Sequence, residues 1–68
     1  MQMTLTINGE RHTFEGPLTV AGLLVRLGLD PQKLAVEHNL EIVPRSTYDQ
    51  VAVKDGDRLE LVQFVGGG

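Results

Sequence analysis

The sequence closes with Arg58-Leu59-Glu60-Leu61-Val62-Gln63-Phe64-Val65, followed directly by Gly66-Gly67-Gly68, and this segment is the most informative about the fold. Apolar and polar residues alternate along its first half, which predicts a strand with one buried face. The first segment of the chain, Met3–Asn8, alternates in the same way. If these two strands pair side by side in the middle of a sheet, the two best strand patterns of the chain become buried.

A hairpin and a helix follow the first strand. Asn8-Gly9 is a strong hairpin signal because both residues tolerate positive φ, and the chain returns as a second strand over Glu10–Phe14. A helix is predicted after Thr19, whose hydroxyl can cap the first turn, and it ends before Gly28. Its apolar face is spaced at i, i+3, i+4 and i+7 and consists of Val20, Leu23, Leu24 and Leu27.

The rest of the chain supplies short strands and turns. In order, it contains strands at 34–38 and 41–43, a helical turn at 46–50 capped by Ser46, an ambiguous segment at 51–53 and a turn at 54–57. This order is an α+β pattern, and we predict a β-grasp with a mixed sheet of about four to five strands packed on one main helix. Residues 1–65 are the predicted domain, and residues 66–68 are a flexible glycine tail.

The predicted core collects the inward residues of these elements. It consists of Leu5, Ile7, Leu23, Leu24, Leu27, Val36, Ile42, Leu59 and Leu61. A chain of 68 residues buries little surface, so we expect the loss of one core side chain to be costly.

The composition excludes several classes of protein. There is no cysteine, which excludes disulfides, thiolate catalysis and cysteine-based zinc sites. The net charge is −3 and the six basic residues are scattered, which argues against nucleic acid as a partner. No apolar run approaches the ~20 residues of a membrane span, and the alternating start does not resemble a signal peptide. We therefore expect a cytoplasmic protein with no membrane contact.

No catalytic or metal-binding constellation is recognisable. His12 and His38 fall on different predicted strands and are interpreted as ordinary strand residues. Asp55-Gly56-Asp57 has the composition of a turn, and Arg45 and Tyr48 are interpreted as residues of a solvated loop. We predict no catalytic residue, no metal and no bound cofactor.

The three terminal glycines are the candidate functional site. They could be a frayed end or a cloning remnant. In the functional interpretation, a tail without Cβ atoms is thin enough to thread a narrow active site. A terminal carboxylate on Gly68 is ionised at neutral pH and can attack the α-phosphate of ATP. Gly68 is then the modified residue, and Gly66 and Gly67 thread the partner's active site.

A docking face is predicted beside this tail. If Leu59 and Leu61 face the core, alternation turns Glu60, Val62 and Phe64 away from it. Val62 and Phe64 would then form a modest apolar patch suited to docking a partner. The alternative is that a bulge or a covering loop buries them.

A β-grasp that ends in glycines resembles the ubiquitin-like proteins. Within them, the chain resembles the ThiS family, the sulfur carriers of thiamin biosynthesis. The matching stretches are Asn39–Arg45 (Asn-Leu-Glu-Ile-Val-Pro-Arg), Asp55-Gly56-Asp57 and Val65–Gly68. Leu40 departs from the pattern, in which glycine often follows the turn asparagine, and residues 51–53 carry no signature.

The resemblance implies a carrier that has no active site of its own. A ubiquitin-activating-like adenylyltransferase (ThiF type), which consumes ATP, would join AMP to the Gly68 carboxylate. A persulfide from a cysteine desulfurase system would then leave a thiocarboxylate on Gly68. Thiazole synthase (ThiG type) would accept that sulfur.

Three other functions remain open. The carrier could serve molybdopterin synthesis or tRNA thiolation, which use similar folds and the same tail chemistry. The chain could also be a ubiquitin-like interaction domain with an inert tail. Conjugation of Gly68 to lysines of other proteins would use the same adenylate.

Overall fold

A computed structural model describes residues 1–64 of the chain as two sheets and an α-helix. The elements are β1 (Gln2–Ile7), β2 (Glu10–Glu15), β3 (Leu18–Thr19), α1 (Val20–Arg26), β4 (Leu34–His38), β5 (Glu41–Val43), β6 (Ala52–Val53) and β7 (Arg58–Gln63). Two 3-10 turns span Pro31–Lys33 and Arg45–Thr47. Five strands form the main sheet in the order β2-β1-β7-β4-β5, while β3 pairs with β6. The predicted α+β class and β-grasp fold, a mixed sheet with one helix, are confirmed.

Strand β7 lies in the middle of the main sheet, as predicted. It pairs in parallel with β1, where Ile7 is opposite Leu59. On its other edge it runs antiparallel to β4 from Leu34 opposite Gln63 to His38 opposite Leu59. The strand was predicted to reach Val65 but ends at Gln63 within the described residues, and Val65 lies outside them.

The helix is held at both ends by the devices that the sequence predicts. The Thr19 hydroxyl accepts a hydrogen bond from the Gly22 amide at 3.1 Å. At the other end Gly28 has φ +73°, and the Leu29 amide donates to the Leu24 carbonyl at 2.9 Å. This bond satisfies a carbonyl that has no partner inside the helix. Seven residues are therefore enough to place Leu23 and Leu24 against the sheet.

Most of the predicted core is correct. Leu5, Ile7, Leu23, Leu24, Val36 and Leu59 are buried, and Leu27 and Leu61 are partly buried and pack against them. The core also contains residues that the prediction missed: Met3, Leu18, Val20, Leu34, Val43, Tyr48 and Val53. The two-stranded β3-β6 sheet contributes two of them, Leu18 and Val53, so the ambiguous segment 51–53 is extended at Ala52–Val53.

The prediction that Ile42 belongs to the core is wrong, because its side chain is 78% exposed. The register of β5 on β4 pairs Val43 with the buried Val36, and it pairs Ile42 with the exposed Glu37. Side chains opposite each other in a sheet share a face. Val43 therefore points into the core and Ile42 points away from it.

The region after β5 also differs from its prediction. Tyr48 is 4% exposed and belongs to the core, because its hydroxyl finds an internal acceptor in the Leu34 carbonyl at 3.1 Å. Ser46 does not cap the helical turn, which begins one residue earlier and has no side-chain cap. Instead the Thr47 hydroxyl donates to the Pro44 carbonyl at 2.8 Å.

The Asp55-Gly56-Asp57 turn is a structural junction, in agreement with its interpretation as a turn. The Asp55 carboxylate accepts from the Thr4 amide at 2.7 Å, which ties the turn to β1. The Asp57 carboxylate lies 2.7 Å from Nε2 of His38 and accepts from the Asn39 side chain at 3.2 Å. The turn thus joins β1 to the end of β4.

The pKa of Asp57 is set by two opposing effects. Burial of its carboxyl raises the pKa, whereas hydrogen bonds from His38, the Lys54 amide and Asn39 lower it. The net pKa lies below the ordinary 3.8. Because the folded pKa is depressed, the ionised group stabilises the fold above pH 3.8, and this contribution disappears as the pH falls through the folded pKa.

We expect Leu24→Ala to lower the free energy of unfolding by about 2–5 kcal/mol, because it leaves a cavity under the helix. The matched control is Ile42→Ala, which should change that free energy by no more than about 0.5 kcal/mol because the side chain is exposed. Urea denaturation of both variants measures the difference. Equal losses in the two variants would contradict the register of β5.

We expect Asp57→Asn to lower the free energy of unfolding at neutral pH by about 1–3 kcal/mol, through weaker hydrogen bonds to the junction. Below pH 3.8 the difference from the wild type should shrink, because the wild-type carboxylate becomes protonated. Denaturation curves recorded across this pH range test the expectation. Asp49→Asn, at an exposed position, is the control. A pH-independent difference between Asp57→Asn and the wild type would refute the assignment.

Candidate functional site

The base of the predicted tail is anchored firmly up to the last described residue. The Phe64 amide donates to the Lys33 carbonyl at 3.0 Å, which extends the pairing of β7 beyond Gln63. On the other edge, the Asn8 side chain accepts from the Leu61 amide at 2.7 Å and donates to the Leu61 carbonyl at 3.1 Å. Whatever follows Phe64 therefore starts from a fixed point at the centre of the sheet.

The predicted site residues of the tail lie beyond this point. Gly66, Gly67 and Gly68 are outside the described residues. The predicted boundary between the domain (1–65) and the tail (66–68) is outside them as well. Their roles in modification and in threading a partner stay predictions.

The two predicted docking residues are exposed. Val62 is 59% exposed and Phe64 is 56% exposed, so strand alternation turns them away from the core as predicted. No bulge or loop within residues 1–64 covers them. Docking itself stays a prediction.

Arg45 contacts Phe64, a contact that the interpretation as a solvated loop missed. Its guanidinium carbon lies 5.8 Å from the centroid of the Phe64 ring. Nε donates to the Pro31 carbonyl at 3.1 Å, and Nη2 donates to the Leu34 carbonyl at 3.2 Å. The guanidinium therefore holds the aromatic ring through a cation–π contact while it is itself bound to two carbonyls. Arg45 ends the Ile-Val-Pro-Arg motif, and its place there was the sequence feature that could have singled it out.

Val62 and Phe64 are part of a larger surface on the face of the sheet that points away from α1. This surface, the outer patch, consists of Ala35, Glu37, Ile42, Glu60, Val62 and Phe64. One row across the sheet pairs Glu60 with Glu37 and Glu37 with Ile42, and the next row pairs Val62 with Ala35. The patch therefore sets two carboxylates beside exposed apolar side chains.

The opposite face carries a hollow of about 380 Å³ beside the end of the helix. Its titratable lining residues, Glu10 and His12, lie 3.8 Å apart, and His12 also stacks on Phe14 with ring centroids 6.2 Å apart. Among the described residues that line the hollow, none is a Ser, Thr or Cys that could act as a nucleophile. This arrangement does not form a nucleophile–base pair.

Two further features concern membranes and metals. Within residues 1–64, no helix combines the length and the apolarity that crossing a bilayer requires. In the same residues, His, Asp and Glu side chains do not gather in groups of three or more that could hold a metal ion. The absence of a metal or a bound cofactor stays a prediction.

Comparisons with known proteins agree with this geometry. The family model of the ThiS family matches residues 5–68. The crystal structure of the thiamine biosynthesis protein ThiS from Geobacter metallireducens superposes with a TM-score of 0.84 at 40% identity, covering 97% of this chain and all of that one. The sulfur carrier protein ThiS of Bacillus subtilis is 40% identical over 50 residues, which are 74% of this chain and 76% of the relative.

A longer relative carries the same domain. The thiazole synthase of Paramagnetospirillum magneticum is 61% identical over 66 residues. The match covers 97% of this chain but 20% of that protein. This chain therefore spans about a fifth of the length of that relative.

The central β7, its parallel partner β1 and the covering helix α1 define a ubiquitin-like β-grasp protein. The match over residues 5–68 and the ThiS relatives at 40% identity place it more narrowly. The chain belongs to the ThiS family, and the resemblance predicted from its motifs is confirmed.

We expect Arg45→Lys to increase the rate of hydrogen exchange at the Phe64 amide by about two- to fivefold. This factor corresponds to the ~0.5–1 kcal/mol that an exposed cation–π contact contributes. Lysine keeps the charge but cannot reach both carbonyls with a planar fork. NMR-detected exchange measures the change, with Arg26→Lys on the exposed face of α1 as the control. Unchanged protection of Phe64 would show that Arg45 does not hold the base of the tail.

Proposed function

We propose that this protein carries sulfur as a thiocarboxylate on Gly68 and delivers it for the synthesis of the thiazole moiety of thiamin. One observation carries the proposal: the family match runs through residue 68 and so includes the three glycines. The anchored base at Phe64 supports it, because a thin tail can extend from a fixed point into a partner's active site.

The chemistry takes place at the end of the tail. The Gly68 carboxylate attacks the α-phosphate of ATP in the active site of an adenylyltransferase, and pyrophosphate leaves. The terminal sulfur of a persulfide, supplied by a cysteine desulfurase system, attacks the acyl carbon and displaces AMP. A thiol then reduces the resulting acyl disulfide and leaves the thiocarboxylate. The protein acts as a co-substrate, and its partners contribute the catalytic residues.

Thiazole synthase is the proposed acceptor of the sulfur. The support is the Paramagnetospirillum magneticum relative, which bears that name and contains a domain 61% identical to this chain. Physical linkage in one chain would hold the carrier close to the synthase at a high effective concentration. We expect this sulfur transfer to take place in the cytoplasm. The chain has no cysteine, so the carried sulfur has no internal thiol with which to react.

Gene deletion tests the pathway. Loss of the gene should make growth dependent on added thiamin or its thiazole moiety, and the full chain should restore growth while a chain without Gly67 and Gly68 should not. Growth that instead requires molybdopterin products, or a loss of thiolated tRNA alone, would assign the carrier to another pathway. Rescue by the truncated chain would identify an interaction domain with an inert tail.

We expect Phe64→Ala to weaken binding to the adenylyltransferase about tenfold, because exposed aromatic residues are common binding hot spots. The melting temperature should change little, since more than half of the side chain is exposed. Isothermal calorimetry and a thermal melt measure both quantities. The control is Val25→Ala, an exposed aliphatic residue on the helix. A large loss of stability with unchanged binding would reject Phe64 as a docking residue.

A further inference from the structure

The outer patch contains a pair of like charges that does not stabilise the folded chain. Glu37 and Glu60 lie directly opposite each other on β4 and β7. Like charges in this position destabilise a sheet. Within residues 1–64, neither carboxylate takes part in a salt bridge. The repulsion between them is therefore not offset by any ion pair of the described chain.

The surroundings of the two carboxylates suit a surface that becomes covered by a protein. Ile42 lies beside Glu37 in the same row, and Val62 and Ala35 form the next row along the strands. Exposed apolar side chains gain free energy when a partner covers them. Covering them also excludes water from the carboxylates, which strengthens their interaction with an opposite charge.

The charges on this face also set a direction along β7. Arg58 precedes Glu60 by two residues and faces the same side, and the Arg45 guanidinium lies over Phe64 at the other end of the patch. Within the outer patch, the negative charge therefore lies in the single row of Glu37 and Glu60, with Arg58 before it along β7 and Arg45 beyond it. A partner with a cationic group can be held in one position, because sliding along the strand would bring that group towards an arginine.

We propose that the outer patch binds a surface of the adenylyltransferase that seats an arginine or lysine between Glu37 and Glu60, with apolar side chains packed on Ile42 and Val62. The identity of the partner rests on the proposed function. Phe64 lies four residues beyond Glu60, about 13 Å along the strand. The four residues from Val65 to Gly68 reach at most about 14 Å further. The cationic group and the ATP site of the enzyme therefore lie within about 27 Å of each other.

The test uses the variant Glu37→Gln/Glu60→Gln in the full chain. The adenylyltransferase of the same organism, ATP and a persulfide donor are supplied, and the initial rate of mass change on Gly68 is measured over a range of carrier concentrations. At low salt we expect KM to rise about tenfold while kcat stays unchanged, since the glutamates act in docking. Added salt should raise KM for the wild type more than for the variant, because it screens the charge contact.

The control is Glu41→Gln. Glu41 is exposed and precedes Ile42 of the outer patch, but it lies opposite His38 on the other face of the sheet. This substitution should leave KM unchanged. A thermal melt should show the double variant to be at least as stable as the wild type, since a repulsion is removed.

Two outcomes would overturn the inference, and they are distinguishable. If the wild type is loaded normally and the double variant has the same KM and salt dependence, the cationic contact is absent while the proposed function stands. If the wild type is not loaded by an enzyme that is active on a control carrier, the proposed function fails and the inference fails with it.

Discussion

The structure depends on the hydrogen bonding of β7 along both of its edges. One edge pairs in parallel with β1 and the other antiparallel with β4, so the last strand of the chain lies in the middle of the sheet. Parallel neighbours require a crossover, and here the entire chain from the hairpin to the Asp57 turn provides it. As a result, the chain beyond Phe64 leaves from the most firmly anchored strand and not from a frayed edge.

Much of this fold could be predicted from local patterns. Period-two alternation identified β1 and β7, and the Thr19 cap with Gly28 bounded the helix, because these signals are contained in neighbouring residues. Ile42 could not be assigned in this way, since β5 has only three residues and two adjacent aliphatic side chains; its register on β4 decides which one is buried. Tyr48 was missed because the acceptor that permits its burial, the Leu34 carbonyl, is distant in sequence.

For the candidate site too, features within one strand could be predicted, whereas contacts between distant residues could not. The outward direction of Val62 and Phe64 followed from alternation along one strand. The contact of Arg45 with Phe64 and the opposition of Glu37 and Glu60 both join residues that are distant in sequence. The register of β4 on β7 places the two glutamates opposite each other, and hydrogen bonds to two carbonyls place Arg45 over Phe64. These contacts between distant parts of the chain set the charge pattern of the outer patch, whereas the proposed role of the tail was inferred from residues 66–68 alone.

Whether Gly68 carries sulfur can be determined by measuring the mass of the intact protein. The protein is incubated with ATP, its adenylyltransferase and a persulfide donor, and its mass is compared with that of untreated protein. If Gly68 carries sulfur, the mass should increase by the difference between a sulfur and an oxygen atom, and removal of Gly67 and Gly68 should abolish the increase. An unchanged mass, obtained with an enzyme that loads a control carrier, would show that Gly68 does not carry sulfur.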